Sequence, residues 1–584
     1  VKLLNEIKST FGRTYSIANF TANFHLTKDL DLVTQLGGQT ESTYDFYYAG
    51  KDVLGVSQSV SGRARRRHDN IGRWTNENYL AYKHDFGKHN LQLTAGASWY
   101  YQRSTMTSVQ TENFFDDYYT YNNIGAGATV IPPQSLYRQE QTMSYYGRLQ
   151  YNYDSRYLFT ASYRNDGASQ PAIGQKRGNF PSFSVGWNLH NESFYKESSL
   201  ADVISTVKFR GSWGVTGNAL LPAYASWQLV GSQSSPFGVV TTPISLGNNV
   251  LAWEEAVQTN IGADLSLLNN RINITFDWYN KVNRNLLLLK ELTAESGYPN
   301  AYQNIGKIRN RGIEIGVTTV NIDNKDLRWT TSANFTMNRS KVLKLNGAPI
   351  FGTWAGWIAE GRPLNEFYGY VRQGVWSEAE KAQAESYGRE PGDTKWQDTN
   401  GNGVKDIDDR VPLGNAMPSW EASINNRISY KGFSFLLDVG GMKGLSLINT
   451  ARHLMQNSAT SVNSFGDILN AWTPDNQNTI IPAVRTAQDR GNPSEVADSY
   501  AVEDASFIRV RNIGLSYTTR VPWLQKLLLK SLTIGANVEN AFLWTKYSGF
   551  DPEYSSLDAK LDQGVDIYQY PKPRVISFTL NATF

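Results

Sequence analysis

The C-terminal segment, Arg574 to Phe584, sets the tightest limit on what this chain can fold into. Ile576, Phe578, Leu580, Ala582 and Phe584 alternate with Val575, Ser577, Thr579, Asn581 and Thr583. An extended strand turns successive side chains to opposite faces, so the segment has one apolar and one mostly polar side. A soluble sandwich rarely leaves such a strand on an unshielded Phe. A closed barrel in a membrane turns its outer face to lipid and pairs its last strand so that no edge remains. The segment is therefore expected to be the closing seam of a transmembrane β-barrel.

The rest of the chain repeats that grammar as paired alternating segments around short polar turns. Segments 13–26 and 30–40 flank Lys28-Asp29, and 72–84 and 90–102 flank Gly87-Lys88-His89. Segments 142–153 and 156–164 flank Asp154-Ser155; 255–267 and 271–282 flank Asn269-Asn270. The pattern returns at 309–321 and 327–338 around Asn324-Lys325-Asp326, at 420–430 and 433–441 around Lys431-Gly432, and at 505–518 and 531–543. Asn, Asp and Gly at such turns tolerate the positive φ of tight hairpins. Between the pairs run long polar excursions, 41–71, 103–141, 283–308, 339–417 and 442–504. Short turns on one rim and long loops on the other are the asymmetry of outer-membrane barrels. Roughly 17–20 strands are expected, too many for side chains to fill the interior, so the barrel encloses a channel or a plug.

Composition agrees. Aromatic residues reach 13%, with 33 Tyr, 25 Phe and 16 Trp, a load that suits the two aromatic bands of a membrane barrel. No run of about 18 apolar residues exists, which excludes helical spans. A net charge of +3 argues against nucleic acid as a partner. With no cysteine, disulfides, iron–sulfur clusters and thiol chemistry are excluded. The chain opens on Val1, without initiator Met or signal peptide. For an exported protein this implies a processed or partial form.

Several stretches resemble the barrel of SusC/RagA-type TonB-dependent transporters, the large outer-membrane importers of Bacteroidota. They are Tyr163-Arg164-Asn165-Asp166-Gly167-Ala168-Ser169, Phe180-Pro181-Ser182-Phe183-Ser184-Val185-Gly186-Trp187 and Gly211-Ser212-Trp213-Gly214-Val215-Thr216-Gly217-Asn218. Asn304-Ile305-Gly306, Asn310-Arg311-Gly312-Ile313-Glu314, Asp504 to Asn512 and Lys546 to Glu553 continue the series in the family's order. The resemblance implies an all-β, antiparallel barrel of 22 strands in the cell outer membrane of a Gram-negative organism, of which residues 1–584 are a part. The family's signal peptide, carboxypeptidase-like domain, TonB-binding box and plug are not recognisable here, so its TonB contact falls on no residue of this chain.

Among candidate sites the sharpest is the run Asp398 to Asp409 within the excursion 339–417. Asp398, Asn400 and Asn402 stand at positions 1, 3 and 5 of a twelve-residue calcium loop, with Gly403 at the sharp turn. The Val404 carbonyl, Asp406 and Asp409 take positions 7, 9 and 12. Calcium needs six to eight oxygens, and this run supplies them from one segment. Asp in place of Glu at the last position departs from the EF-hand. The run reads equally as an Asx-rich loop capping its own backbone. Either role is structural. Arg63, Arg65, Arg66, Arg67 and His68 form a basic run in an early loop, read as a solvated face or as a contact for lipopolysaccharide phosphates or an anionic ligand. Tyr118, Tyr119, Tyr121, Trp354, Trp357 and Trp396 suit sugar stacking or ordinary loop packing alike.

No catalytic arrangement emerges. His25, His68, His84, His89, His190 and His453 do not cluster, no Gly-x-Ser-x-Gly occurs, and the adjacent Glu254 and Glu255 would face opposite sides of a strand. By resemblance the chain would import large nutrients, glycan or peptide, under a SusD-like surface lipoprotein lid. TonB would act through the missing N-terminal region. The alternative is a structural SusC-like subunit of a larger envelope assembly or secretion complex.

Overall fold

The computed structural model describes residues 6–54, 60–235, 238–345, 347–455, 463–485, 498–553 and 562–584. Val1 and parts of the excursion 442–504 lie outside the described residues. Seventeen strands belong to one sheet. In chain order they are β1 (Ile7–His25), β2 (Leu30–Ala49), β3 (Arg63–Phe86), β4 (His89–Phe114), β5 (Gly127–Tyr153), β6 (Tyr157–Ala168), β7 (Arg177–Asn188), β8 (Ile204–Asn218) and β9 (Glu254–Leu267). There follow β10 (Ile272–Arg284), β11 (Lys307–Asp323), β12 (Leu327–Lys344), β13 (Trp420–Tyr430), β14 (Phe433–Lys443), β15 (Phe507–Thr519), β16 (Ser531–Thr545) and β17 (Val575–Thr583).

One compact unit holds residues 1–187, 212–257 and 283–305. Within it β1 to β7 pair antiparallel, each with the next. The register keeps the two faces of opposite character across strands. Leu91, Tyr151, Phe159 and Val185 line up in one row, and Leu93, Leu149, Ala161 and Phe183 in the next. The other face carries rows such as Glu77, Ser98, Ser144 and Asp166, tied by Tyr146 Oη donating to Glu77 at 2.6 Å and Arg164 to Ser144 at 2.8 Å. A one-residue slip would swap these faces, so the alternation itself sets the register. Near the short turns His84, Phe86, His89, Tyr153 and Tyr157 form a chain of ring contacts with centroids 4.9–6.4 Å apart, the aromatic band expected from composition.

The strands of this unit outrun the sequence expectation. β3, β4 and β5 have 24, 26 and 27 residues, far beyond the roughly 9–11 that cross a bilayer. The excursions placed at 41–71 and 103–141 are therefore largely strand. Alternation of apolar and polar residues weakens there because neither face meets lipid, and the pattern that marks a strand goes with it.

The second unit holds residues 188–211, 258–282 and 306–584. Here β11 to β17 form an antiparallel ladder in chain order. In β17, Ile576, Phe578, Leu580 and Ala582 lie opposite Val538, Ala536, Ile534 and Leu532, extending one apolar row. Phe578 is 83% exposed and Leu580 72%, which leaves that face bare for lipid. β17 pairs with β16, and among the described residues no second ladder seals its other edge, so the seam read from the sequence is a terminal strand of the sheet.

The short turns use the backbone the sequence requires. Asp154 and Ser155 (φ 51° and 54°), Asn269 and Asn270 (56° and 64°), and Lys431 and Gly432 (46° and 91°) are left-handed. At Asn324-Lys325-Asp326 a different device operates: the Asn324 side-chain oxygen accepts the amides of Asp326 and Leu327 at 3.1 and 2.9 Å.

Candidate ligand-facing surface in the long loops

Within the second unit the long excursions pack into one body. Ile350–Phe351, Gly356–Ile358, Glu366–Gly369 and Val411–Asn415 form a small sheet, and Arg372–Val375 pairs with Thr394–Trp396. Ser446–Asn449 pairs antiparallel with Val502–Asp504 and parallel with Val565–Asp566. Ala355, Phe367, Ala416, Ile448, Ala501 and Val565 meet in one core drawn from three separate loops. Burying a side chain such as Phe367 or Ile448 contributes about 1.5–3 kcal/mol, enough to hold loops that have little regular structure of their own. Charge pairs pin the same body. Arg372 meets Asp498 at 2.7 Å with both side chains almost fully buried, and Arg509 meets Asp551 at 2.6 Å in the same state.

A cavity of about 660 Å³ opens in this body, lined by Asn449, Arg452, Phe465, Phe550, Tyr568 and Gln569 among others. Its polar groups are held from behind. Arg452 and Asn449 each donate to Glu503 Oε1 at 3.2 Å, and Asn449 also donates to Ser548 at 3.0 Å. The Arg452 guanidinium lies 4.0 Å from the centre of the Tyr500 ring. Tyr547 Oη donates to Asp566 at 2.7 Å; burial, then that carboxylate, pushes the phenol far above its usual range, so it stays a neutral donor. Gln569 is 8% exposed and its Oε1 has no partner among the described residues. Phe550 (67% exposed) and Tyr568 (57%) offer ring faces at the cavity. Rings beside planar amide and guanidinium groups can stack on a ligand and hydrogen-bond its edges.

The calcium run is placed as a tight loop. Asp398 Oδ1 accepts the amides of Gly401 and Asn402 at 2.6 and 3.2 Å, and Oδ2 accepts Gly403 N–H at 2.9 Å and Tyr387 Oη–H at 2.8 Å. The phenol first, then these amides, hold its carboxyl below the usual range. Asn400 Oδ1 accepts Asn402 N–H, and Asn402 Oδ1 accepts Val404 N–H. Asp406 Oδ2 accepts the Asn402 side-chain amide, and the buried Asp409 accepts the amides of Thr399 and Asp406. Capping of the loop's own backbone is thus fully developed. Among the described residues no three His, Cys, Asp or Glu side chains converge on one metal position. The hard oxygens still suit calcium chemically, since a carboxylate has about four acceptor positions and these bonds use only part of them.

The basic run lies in β3, not in a loop. Arg63 pairs with Glu112 at 2.7 Å, Arg65 with Asp45 at 2.7 Å and Arg67 with Asp69 at 2.7 Å, while Arg66 stacks 4.2 Å from the Phe46 ring centre. Carboxylates, two across strands and one on β3 itself, answer three of the four arginines that sequence reading left unpaired. Of the aromatics, Trp357 stacks on Tyr368 at 3.9 Å and Trp354 packs edge-on to His453, whereas Tyr118 stays 84% exposed. Sequence reading did not bring the cavity residues together, because they come from segments about a hundred positions apart.

The family described as TonB dependent receptor-like, beta-barrel matches residues 5–541. The chain belongs to this family. Its strands are therefore those of an outer-membrane barrel. TonB-dependent receptor P3 of Formosa agariphila is 30% identical over 97% of this chain and 58% of its own length. TonB-dependent receptor SusC of Bacteroides thetaiotaomicron is 28% identical over 96% of this chain and 55% of its own length. The chain thus spans a little over half the length of these relatives. A solved structure of the RagAB peptide transporter has the same fold, with TM-score 0.85 and 22% identity over 99% of this chain and 63% of that one.

Proposed function

We propose that this chain is the barrel portion of an importer that carries large nutrients, glycan or peptide, across the outer membrane. The reading includes a SusD-like lipoprotein that lids the long-loop side, and TonB, acting through parts of the protein outside this chain, that drives opening. The observation that carries it is the packed loop body with its cavity of about 660 Å³, set on a barrel whose relatives include SusC. A loop body used only as scaffold gains nothing from an unpartnered Gln569 oxygen and bare ring faces at a cavity. The test is purification of the full-length protein from outer membranes in mild detergent, with growth measured in strains with and without TonB. One stoichiometric surface lipoprotein and TonB-dependent growth on a polymeric nutrient are the expected results. Recovery with assembly or secretion components, and growth indifferent to TonB, would replace import by a structural-subunit role.

The same proposal gives the loop 398–409 a structural calcium ion held by Asp398, Asn400, Asn402, the Val404 carbonyl, Asp406 and Asp409. The support is the oxygen-only donor set at EF-hand spacing. Terbium luminescence, sensitised by nearby Trp396, should rise on titration and be competed by calcium; Asp398→Asn should abolish it. Equal luminescence in both proteins would leave the loop as self-capped only.

A further inference from the structure

On the apolar face of the second unit, at its long-loop end, the sheet carries a groove of about 570 Å³. Its floor follows from register. Ala422 of β13, Gly441 of β14, Ile508 of β15 and Trp544 of β16 form one cross-strand row. Two small residues side by side leave a dip that neighbouring strands do not have. Gly441 is fixed as glycine by its surroundings, since a Cβ there would come within 2.6 Å of the Phe507 carbonyl oxygen. Ile424 and Val439 continue the floor one row further from the loops. Trp420 and the 57%-exposed Trp544 stand as walls.

The mouth of the groove is basic. Lys443 lies two residues from Gly441 and Lys546 two from Trp544, and both line the groove on its loop side. Both are exposed. Asp504 stands by the two lysines, so two cations answer one carboxylate. Because the row is continuous with the lipid-facing side of the barrel, a soluble ligand would have to reach it through the membrane. Aromatic side chains mark the headgroup level in membrane barrels, and the Trp420 and Trp544 walls put the lysines at that level or above it.

We infer that this groove seats an acyl chain of lipopolysaccharide, with Lys443 and Lys546 on a phosphate of its lipid A headgroup. Apolar floor, aromatic walls and paired cations match an acylated phosphosugar, and the long-loop end of an outer-membrane barrel faces the outer leaflet. The inference rests on the outer-membrane setting and not on import, so either can fail alone. It is tested on the full-length protein extracted in mild detergent, with bound lipid counted by native mass spectrometry. The wild type should retain about one lipopolysaccharide that survives washing. Lys443→Glu with Lys546→Glu should lower its occupancy at least fivefold, and Ile424→Trp, which fills the floor from the lipid side, should do the same. Lys325→Glu, in a short turn, should leave it unchanged and controls for charge alone. Equal occupancy in all four proteins overturns the inference. So does loss in the lysine variant without loss in Ile424→Trp, which would mean a headgroup contact with no acyl seat, or retention of phospholipid in place of lipopolysaccharide.

Discussion

Arg509 and Asp551 stand 2.6 Å apart with side chains 4% and 2% exposed, so each is desolvated and depends on the other. Removing one partner of such a pair strands a buried charge and costs about 3–5 kcal/mol. Asp551→Asn should fall at the lower end, near 3 kcal/mol, because Glu553 lies 3.4 Å from the same guanidinium and takes up part of the charge. Replacing both by apolar residues, Arg509→Met with Asp551→Leu, should recover much of the loss. Thermal unfolding of the three proteins checks this; a double variant weaker than Asp551→Asn would count against it. Acid sensitivity of the loop body has a similar local origin. The Tyr387 phenol and backbone amides hold Asp398 down, and Lys395 followed by the Ser377 amide does so for Glu380. Both carboxyls have folded pKa values below their unfolded ones, about 3.9 and 4.3. Their contribution is therefore complete above about pH 4.3 and is lost as pH falls through the lower folded values. Proteolysis between 372 and 415 should accelerate below pH 4 and not between pH 5 and 7. Asp398→Asn should flatten that response.

Among the elements, the hairpins depend on a few turn residues. Gly432 has φ 91°, and a Cβ there would meet the Thr518 carbonyl oxygen at 2.6 Å. Gly87, at φ 64°, has open space around it. Gly432→Ala should therefore cost about 2 kcal/mol or more, and Gly87→Ala about 1 kcal/mol, since only the first adds a clash to the left-handed penalty. Urea unfolding in lipid vesicles compares them, and equal losses would mean that the β14–β15 approach yields freely. These turns were legible in the sequence because Asn, Asp and Gly sit between segments whose alternation is strict. Where alternation lapses, legibility lapsed too. Arg63 to His68 offer no apolar partner face, so the upper part of β3 read as loop. The joining of Ser446–Asn449 with Val565–Asp566 was invisible for another reason: parallel pairing across more than a hundred residues leaves no local pattern. The cavity is built on that joint, so its residues were not legible either. The spacing of the Asx residues from Asp398 to Asp409 was legible, and the backbone capping is the Asx-rich alternative that the same residues announced.

At the largest scale, the ladder β13 to β17 of the second unit keeps one face apolar and the other mostly polar, a division that lipid on one side stabilises. Phe578 and Thr579 are neighbours near the middle of β17, yet register assigns them to opposite sides: Phe578 lies beside Ala536, Thr579 beside Gly535. An arginine at the lipid side of a barrel near the bilayer midplane costs about 2–4 kcal/mol, whereas one on the inner side reaches water. Phe578→Arg should thus lower the yield of folded protein in the outer membrane and its stability in vesicles by about that amount, and Thr579→Arg should change both little. Adding length to the guanidinium's escape route tests the same point from another side. Ala582→Arg, near the short-turn end of the strand, should cost less than Phe578→Arg because the side chain can reach the interface. Equal losses at 578 and 579 would mean that β17 does not face lipid on its Phe578 side, and the assignment of faces across β13 to β16, which share its ladder, would fall with it.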